Sequence, residues 1–260
     1  MKIAISQPTY LPWTGYFDLM DQVDAFVLLD NVQFEKQSWQ QRNRIKTSTG
    51  LQWLTVPVVF RGRFGQKINQ VEIRDPEFVR NHLRAIEVNY RRAPYFHSYY
   101  TELAGLLQAH ASGLLADLNV HLLRWFCAIL DVRTPIVHAS AMEAIGLRSE
   151  LLVSLCCELK ANSYLSPPGS VAYLLDDLEM FANVGIEVEF HHYEHPEYAQ
   201  LFPPFLPYAS ALDLIFNEGP RSGDILRQGR RVPLFPAQVA ATGQATPESA
   251  GEASQLTSPL

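Results

Sequence analysis

The sequence has little cysteine and no long apolar run. Three cysteines occur among 260 residues, and two of them, Cys156 and Cys157, are adjacent, so they cannot form a disulfide framework. No apolar stretch approaches the roughly 20 residues of a membrane span, and no apolar region of the signal-peptide type follows Met1. We therefore expect a cytoplasmic protein whose thiols stay reduced and which has no membrane span.

Several familiar signatures of enzymes are also missing. The sequence contains no Walker A motif, no Gly-x-Gly-x-x-Gly fingerprint and no Gly-x-Ser-x-Gly elbow. The spacing His191-His192-x-x-His195 invites a metal ion, but the segment follows a predicted strand, where neighbouring side chains point to opposite faces. The sequence thus predicts no metal site, and it leaves the cofactor and the oligomeric state unknown.

Charge is distributed unevenly along the chain. The formal net charge of −6 argues against a nucleic-acid ligand. Positions 34–67, however, contain seven basic residues and a single acidic one, Glu35. The basic residues are Lys36, Arg42, Arg44, Lys46, Arg61, Arg63 and Lys67. Arginine offers a planar fork of donors to phosphate and carboxylate groups. We therefore expect an anionic ligand, either a small molecule or a carrier-linked one.

Short apolar runs alternate with helical periodicities, which predicts an α/β fold. We expect a mostly parallel, doubly wound sheet of the Rossmann-like, nucleotidylyltransferase-like kind. Its buried strands are predicted at 2–6, 24–30, 135–137, 163–165 and 186–190, with further strands at 53–59 and 68–73.

Two segments depart from this alternation. Apolar residues recur at helical spacing over about 75–130, which predicts a helical insertion. From 236 to 260 the sequence is polar and small, and it cannot bury enough surface to offset its ordering entropy. We expect a single α/β domain over 1–235 followed by a disordered tail over 236–260.

In such sheets ligands bind at the carboxyl ends of the strands, so the segments after the first two strands are the candidate site. In the first, Gln7 is expected to bind substrate, and Tyr10, Trp13 and Tyr16 to wall the pocket. The spacing also matches a nucleotidylyltransferase turn, but Trp13-Thr14-Gly15-Tyr16 replaces the His-x-Gly-His box of that turn. A purely structural aromatic plug is the alternative for this segment.

The second segment, 30–46, crowds together every kind of hydrogen-bonding side chain. Asp30 at a strand end is a candidate base, or a residue that orients one, and Gln33 is a candidate to orient an acceptor amine. The predicted anion-binding residues are Arg42, Arg44 and Lys46, with Asn43 as a further substrate contact. Arg44 is counted with Asp30 and Gln33 as catalytic. Two later positions, Ser166 and His195, are also predicted to bind substrate.

At these residues the chain resembles the WbqC-like family. The resemblance covers about 2–225 and rests on Gln7 to Phe17, Asp24 to Phe34, Arg42 to Lys46, Trp53 to Pro57, Tyr90, Ala93 to Phe96, Tyr164 to Ser166, His195 to Tyr198, Gln200 and Asp213 to Gly219. The chain departs from the family pattern at Pro167, where a glycine is expected. Since proline lacks the amide donor, this departure puts a backbone anion site there in doubt.

The resemblance implies a role in surface-polysaccharide (O-antigen) or other biosynthesis, with glycine or aminoacyl transfer as the activity suggested for some members. We accordingly expect a transferase that moves a small acyl or aminoacyl group. A nucleotidylyltransferase-like enzyme with a degenerate His-x-Gly-His box is one alternative. A non-catalytic module that binds a carrier protein or a partner enzyme is another.

Overall fold

The apolar runs form a central sheet in the computed structural model, which describes residues 1–242. The strands of these residues are β1 (Lys2–Ser6), β2 (Ala25–Leu28), β3 (Arg42–Thr47), β4 (Gly50–Thr55), β5 (Ile136–His138), β6 (Ser163–Ser166) and β7 (Glu187–Phe190). Five of them pair in the order β5-β2-β1-β6-β7, and every pair is parallel. The predicted α/β class and parallel sheet are confirmed.

The order of the strands creates a switch point beside β1. The chain runs from β1 through β2 to β5 in one direction, and then crosses to β6 and β7 on the other side of β1. Where strand order reverses in this way, the connections leave in opposite directions and a crevice opens at the carboxyl ends. The carboxyl ends of the paired strands β1 and β6 therefore border this crevice.

Strands β3 and β4 form a separate antiparallel hairpin rather than part of the central sheet. The sequence analysis predicted no strand at Arg42–Thr47. It was wrong at two other places, since the strand predicted at 53–59 is Gly50–Thr55, and the strand predicted at 68–73 begins with a short 3₁₀ turn at Ile68–Gln70. Strand β3 was not predicted because it reads as polar. Asn43 and Ile45 of β3 are buried, while Arg42 and Arg44 alternate with them on the other face and are only partly buried. Lys46 and Thr47 at the end of the strand are buried as well.

Helices cover both faces of the sheet. They are α1 (Thr14–Asp21), α2 (Phe78–Tyr90), α3 (Phe96–Ala109), α4 (Leu115–Leu130), α5 (Ser149–Glu158), α6 (Val171–Leu174), α7 (Leu178–Ala182), α8 (Ala211–Glu218), α9 (Ser222–Gln228) and α10 (Pro236–Thr242). The helices α2 to α4 correspond to the predicted insertion and join α1, α8 and α9 in one hydrophobic core. A second core lies on the opposite face, under α5 to α7.

The end of the described chain differs from the sequence prediction. Residues 236–242, predicted to be part of a disordered tail, form α10, and Val239 is buried in the second core. One well-placed apolar residue is enough to seat this short helix, and a reading of average composition overlooks it. The remainder of the predicted tail, 243–260, lies outside the described residues.

None of the helices in residues 1–242 is both long enough and apolar enough to cross a bilayer.

Candidate functional site

A cavity of about 860 Å³ opens at the carboxyl ends of β1, β2 and β6. Its lining includes Gln7 after β1, Asn31 and Gln33 after β2, and Ser170 after β6. This is the switch point that the strand order creates. A cavity of this size accommodates a ligand of several hundred daltons.

Both apolar and polar side chains line the cavity. Ile5, Leu29 and Tyr164, which come from the sheet itself, join Leu151 and Leu152 of α5 in its lining. Charged or amide side chains line it as well: Gln7, Asn31, Gln33, Glu35, Lys67, Arg148 and Asp177. A mixed lining of this kind suits an organic ligand with a few polar groups.

A buried carboxylate that precedes the lining residue Asn31 contacts a histidine at the end of β5. Asp30 accepts hydrogen bonds from His138 Nδ1 at 3.0 Å and from the Ser140 amide and hydroxyl, both at 2.8 Å. The Asp30 side chain is 6% exposed, whereas that of His138 is 34% exposed. With Nδ1–H donating to Asp30, the neutral ring keeps Nε2 as a proton acceptor.

The adjoining residue Asn31 links the pair to the cavity. Asn31 belongs to the lining, and its side-chain amide donates to the carbonyl of Ala139 at 3.4 Å. Asp30 itself contributes no lining surface. Of the two predicted roles of Asp30, orienting a base agrees better with this placement, and the imidazole that it contacts is that of His138. The sequence analysis missed His138, although its position at the end of the β5 apolar run was an available signal.

The β3–β4 hairpin places two of the predicted cationic residues, Arg42 and Arg44, next to the cavity. Arg44 pairs across the strands with Trp53, and the Arg42 guanidinium lies 4.3 Å from the centre of the Trp53 ring. Trp39, whose ring centre is 5.2 Å from that of Trp53, also lines the cavity. Arg42 and Arg44 thus stand next to the cavity without lining it.

The other two residues of this predicted set point into the protein interior. Asn43 is 1% exposed and donates to the carbonyl of Tyr10 at 3.1 Å. Lys46 is 2% exposed, and its backbone amide donates to the Tyr90 hydroxyl. Burial raises the pKa of Asp213, and the positive charge of Lys46 partly opposes that shift. The structure therefore places Asn43 and Lys46 where they organise the interior and not among the lining residues.

The three aromatic residues predicted as pocket walls lie behind the cavity. Tyr10 is fully buried and its hydroxyl bonds to His82 Nδ1 at 2.8 Å. The Tyr16 hydroxyl donates to the carbonyl of Gln7 at 3.0 Å, which fixes the backbone of a lining residue. Trp13 packs into an aromatic cluster with Tyr193, His195 and Tyr208. These contacts match the structural-plug alternative for this segment.

The last two predicted contacts are also set back from the lining. His195 shares a hydrogen bond with the Thr14 hydroxyl, and burial lowers its pKa. Ser166 is fully buried, and its hydroxyl contacts that of Ser170, which does line the cavity. The Ser170 amide already donates to the carbonyl of Pro167, so that amide is engaged within its own turn.

Cation ligands do not cluster in the described residues: no group of three or more His, Cys, Asp or Glu side chains there has metal-binding geometry.

Comparison with known proteins gives a family and no activity. The model of the WbqC-like protein family matches residues 7–225. The chain is 39% identical over 231 residues to the uncharacterized protein Rv1507c of Mycobacterium tuberculosis, an alignment that covers 88% of this chain and 99% of the relative. No solved structure matches the chain significantly.

Proposed function

The chain belongs to the WbqC-like protein family, and on that premise we propose that it is a cytoplasmic biosynthetic transferase. It moves a small acyl or aminoacyl group, glycyl included, in surface-polysaccharide (O-antigen) or secondary-metabolite biosynthesis. The observation that carries the proposal is the Asp30–His138 pair beside a cavity of about 860 Å³ at the switch point. A substrate-sized cavity with an oriented base next to it is the arrangement that acyl transfer to an amine or hydroxyl requires.

The proposed chemistry assigns a role to each side of the site. Asp30 holds the His138 ring through Nδ1, and Nε2 accepts the proton of the acceptor amine or hydroxyl. The acceptor atom forms a bond to the carbonyl carbon of the donor, and the bond from that carbon to its leaving atom breaks. The proton on Nε2 then passes to the leaving atom. Gln33, in the cavity lining, orients the acceptor.

Anion recognition belongs to the same proposal. The donor or acceptor is a small or carrier-linked molecule with a negatively charged portion, which Arg42 and Arg44 bind next to the cavity. Trp39 supports this part of the proposal because it connects the cavity to the arginines. It lines the cavity, and the centre of its ring lies 5.4 Å from the Arg44 guanidinium.

Nucleotidyl transfer is the second candidate function. The switch-point crevice and the adjacent arginines favour it, because nucleotides bind at such crevices in doubly wound sheets. It is disfavoured by the first segment, where Trp13 and Tyr16 replace the histidines of the box and neither residue lines the cavity.

Mass spectrometry of the full-length protein with pooled donors tests the proposal. Acyl and aminoacyl thioesters, aminoacyl esters and nucleotide sugars are supplied together with a pool of amino sugars. We expect an acceptor whose mass rises by that of an acyl or aminoacyl group. Release of pyrophosphate with a nucleotidylated acceptor would instead support the second candidate. Binding of an acylated carrier protein without turnover would support the non-catalytic module.

The His138→Gln variant then locates the base. Loss of a general base reduces turnover by about 10²–10⁴-fold, while donor binding remains, since the cavity lining does not include His138. His97→Gln is the matched control, because His97 is exposed on α3. Full turnover in the His138→Gln protein would remove the pair from the mechanism.

A further inference from the structure

Four side chains on the β3–β4 hairpin and just before it form a mixed aromatic and cationic surface, which we call the arginine ledge: Trp39, Arg42, Arg44 and Trp53. Arg44 lies 5.4 Å from the centres of both indole rings. Arg42 lies 4.3 Å from that of Trp53, whose side chain is 42% exposed. The indoles hold the two guanidiniums against the hairpin, so little conformational freedom remains to be lost when a ligand binds.

Neither guanidinium is neutralised by the described part of the chain. Arg42 and Arg44 form no ion pair with residues 1–242, and the Nε atom of each is buried without a hydrogen-bond partner there. Burial lowers the pKa of Arg44, and no acidic neighbour opposes that shift. A desolvated donor without an acceptor is unfavourable, and an anion bound at the ledge would supply the missing acceptors.

The spacing of the two arginines selects the kind of anion. They occupy alternate positions of β3 and so share one face, with Cα atoms about 7 Å apart at the rise of a strand. A single carboxylate carries one negative charge and can accept from the paired donors of one guanidinium only, which leaves the second arginine without a partner. A diphosphate brings at least two charges on two linked groups, and each group can accept from a separate guanidinium fork.

The ledge is continuous with the cavity. Trp39 belongs to both, and Lys67, which lines the cavity, is exposed and adds a cation to the rim. A ligand can therefore place its charged portion on the ledge and its uncharged portion inside the cavity.

We propose that the arginine ledge binds the diphosphate group of an organic ligand whose remaining portion occupies the cavity. The identity of that ligand as the donor rests on the proposed transferase function, but diphosphate binding does not. Nucleoside diphosphates, nucleotide sugars and coenzyme A share this group, so the chemistry of the ledge is common to all three.

Fluorescence titration of the full-length protein tests the proposal. The probes are inorganic pyrophosphate, ADP, UDP-glucose and coenzyme A, added at constant ionic strength because exposed charges are screened by salt. We expect saturable changes in tryptophan emission, since Trp39 and Trp53 lie in the ledge. At least one organic probe is expected to bind tenfold or more tightly than pyrophosphate, and the tightest identifies the source of the diphosphate.

Variants of the ledge decide where the probes bind. Arg42→Gln and Arg44→Gln are each expected to weaken binding at least tenfold. Arg44→Lys, which keeps the charge but loses the fork, is expected to fall between wild type and Arg44→Gln. The matched control is Arg63→Gln, because Arg63 lies in the same basic segment but is exposed and already paired with Glu72 at 2.7 Å.

Two results would overturn the proposal. One is the absence of saturable binding by all four probes, and the other is unchanged affinity in both glutamine variants. If the probes bind as expected but no acyl transfer is ever detected, the proposed function fails and the diphosphate site stands. Trp53→Phe provides a second measurement in case an arginine variant does not fold, since it is expected to change the emission signal and weaken binding.

Discussion

A pair of arginine clusters in residues 1–242 is built in opposite ways. Where α1 meets α9 and the residues that follow it, Arg227 and Arg230 bond to Asp21, and Arg230 also bonds to Asp18 at 2.9 Å. On the arginine ledge, the guanidiniums of Arg42 and Arg44 lie against aromatic faces, and they have no acidic partner among residues 1–242. Both clusters are partly buried.

The pKa shifts in the two clusters show what the difference means. Burial alone would raise the pKa of Asp21, but its bonds to Arg227 and Arg230 outweigh burial and lower it. At the ledge, burial lowers the pKa of Arg44 and nothing compensates. The α1–α9 cluster therefore stabilises the fold through ion pairs that are already formed. The ledge instead holds partly buried positive charges without a counter-charge, as ligand sites often do.

The largest effect is expected from breaking the neutralised cluster. Asp18 is fully buried and accepts from His191, Arg230 and Gln22. Asp18→Ala leaves buried donors without an acceptor, and we expect the free energy of unfolding to fall by about 3–5 kcal/mol. Urea denaturation measures the change. Asp131→Asn, which loses an exposed pair with Arg133 and a minor charge interaction with Arg227, should cost less than about 1 kcal/mol, and equal losses in the two variants would contradict this account.

A smaller effect is expected at His82, whose buried ring bonds to a neutral hydroxyl rather than to a carboxylate. Burial lowers its pKa from 6.5 to about 4, so the unfolded chain binds a proton between these values that the folded chain does not. The contribution of His82 to the free energy of unfolding is therefore fully present above pH 6.5. It falls as the pH drops towards 4, by about 3 kcal/mol in total, at roughly 1.4 kcal/mol per pH unit.

Paired measurements isolate this titration. Urea unfolding at pH 7 and pH 4 is compared between wild type and His82→Gln, so that all other titrating groups cancel in the difference. The wild type should lose about 3 kcal/mol more than the variant over this interval. Parallel losses would show that His82 is protonated in the folded state at pH 4.

The smallest effect on stability is expected at the ledge. Arg44→Met removes an uncompensated charge and keeps an unbranched side chain beside the indoles. We expect the free energy of unfolding to change by less than about 1 kcal/mol in either direction. Calorimetric melting checks this, and a loss as large as that of Asp18→Ala would mean that the ledge is a structural element like the other cluster.

The sequence predicted the central sheet because its strands are buried on both faces and read as uninterrupted apolar runs. It did not predict β3, since Ile45 is the one large apolar residue of that strand, and a single residue shows no apolar alternation. It singled out Asp30 and the ledge arginines as candidates because they lie close together along the chain. It missed His138, which is 108 residues from Asp30, because only the pairing of β2 with β5 brings the two side chains together.

Helix α10 bears on how the protein can be produced. A chain cut at residue 235, the boundary that composition suggests, would lose Val239 from the second core and uncover the surface beside β7. The newly exposed apolar side chains would invite self-association. Expression of a shortened protein should therefore extend through Thr242, with any affinity tag attached beyond that residue.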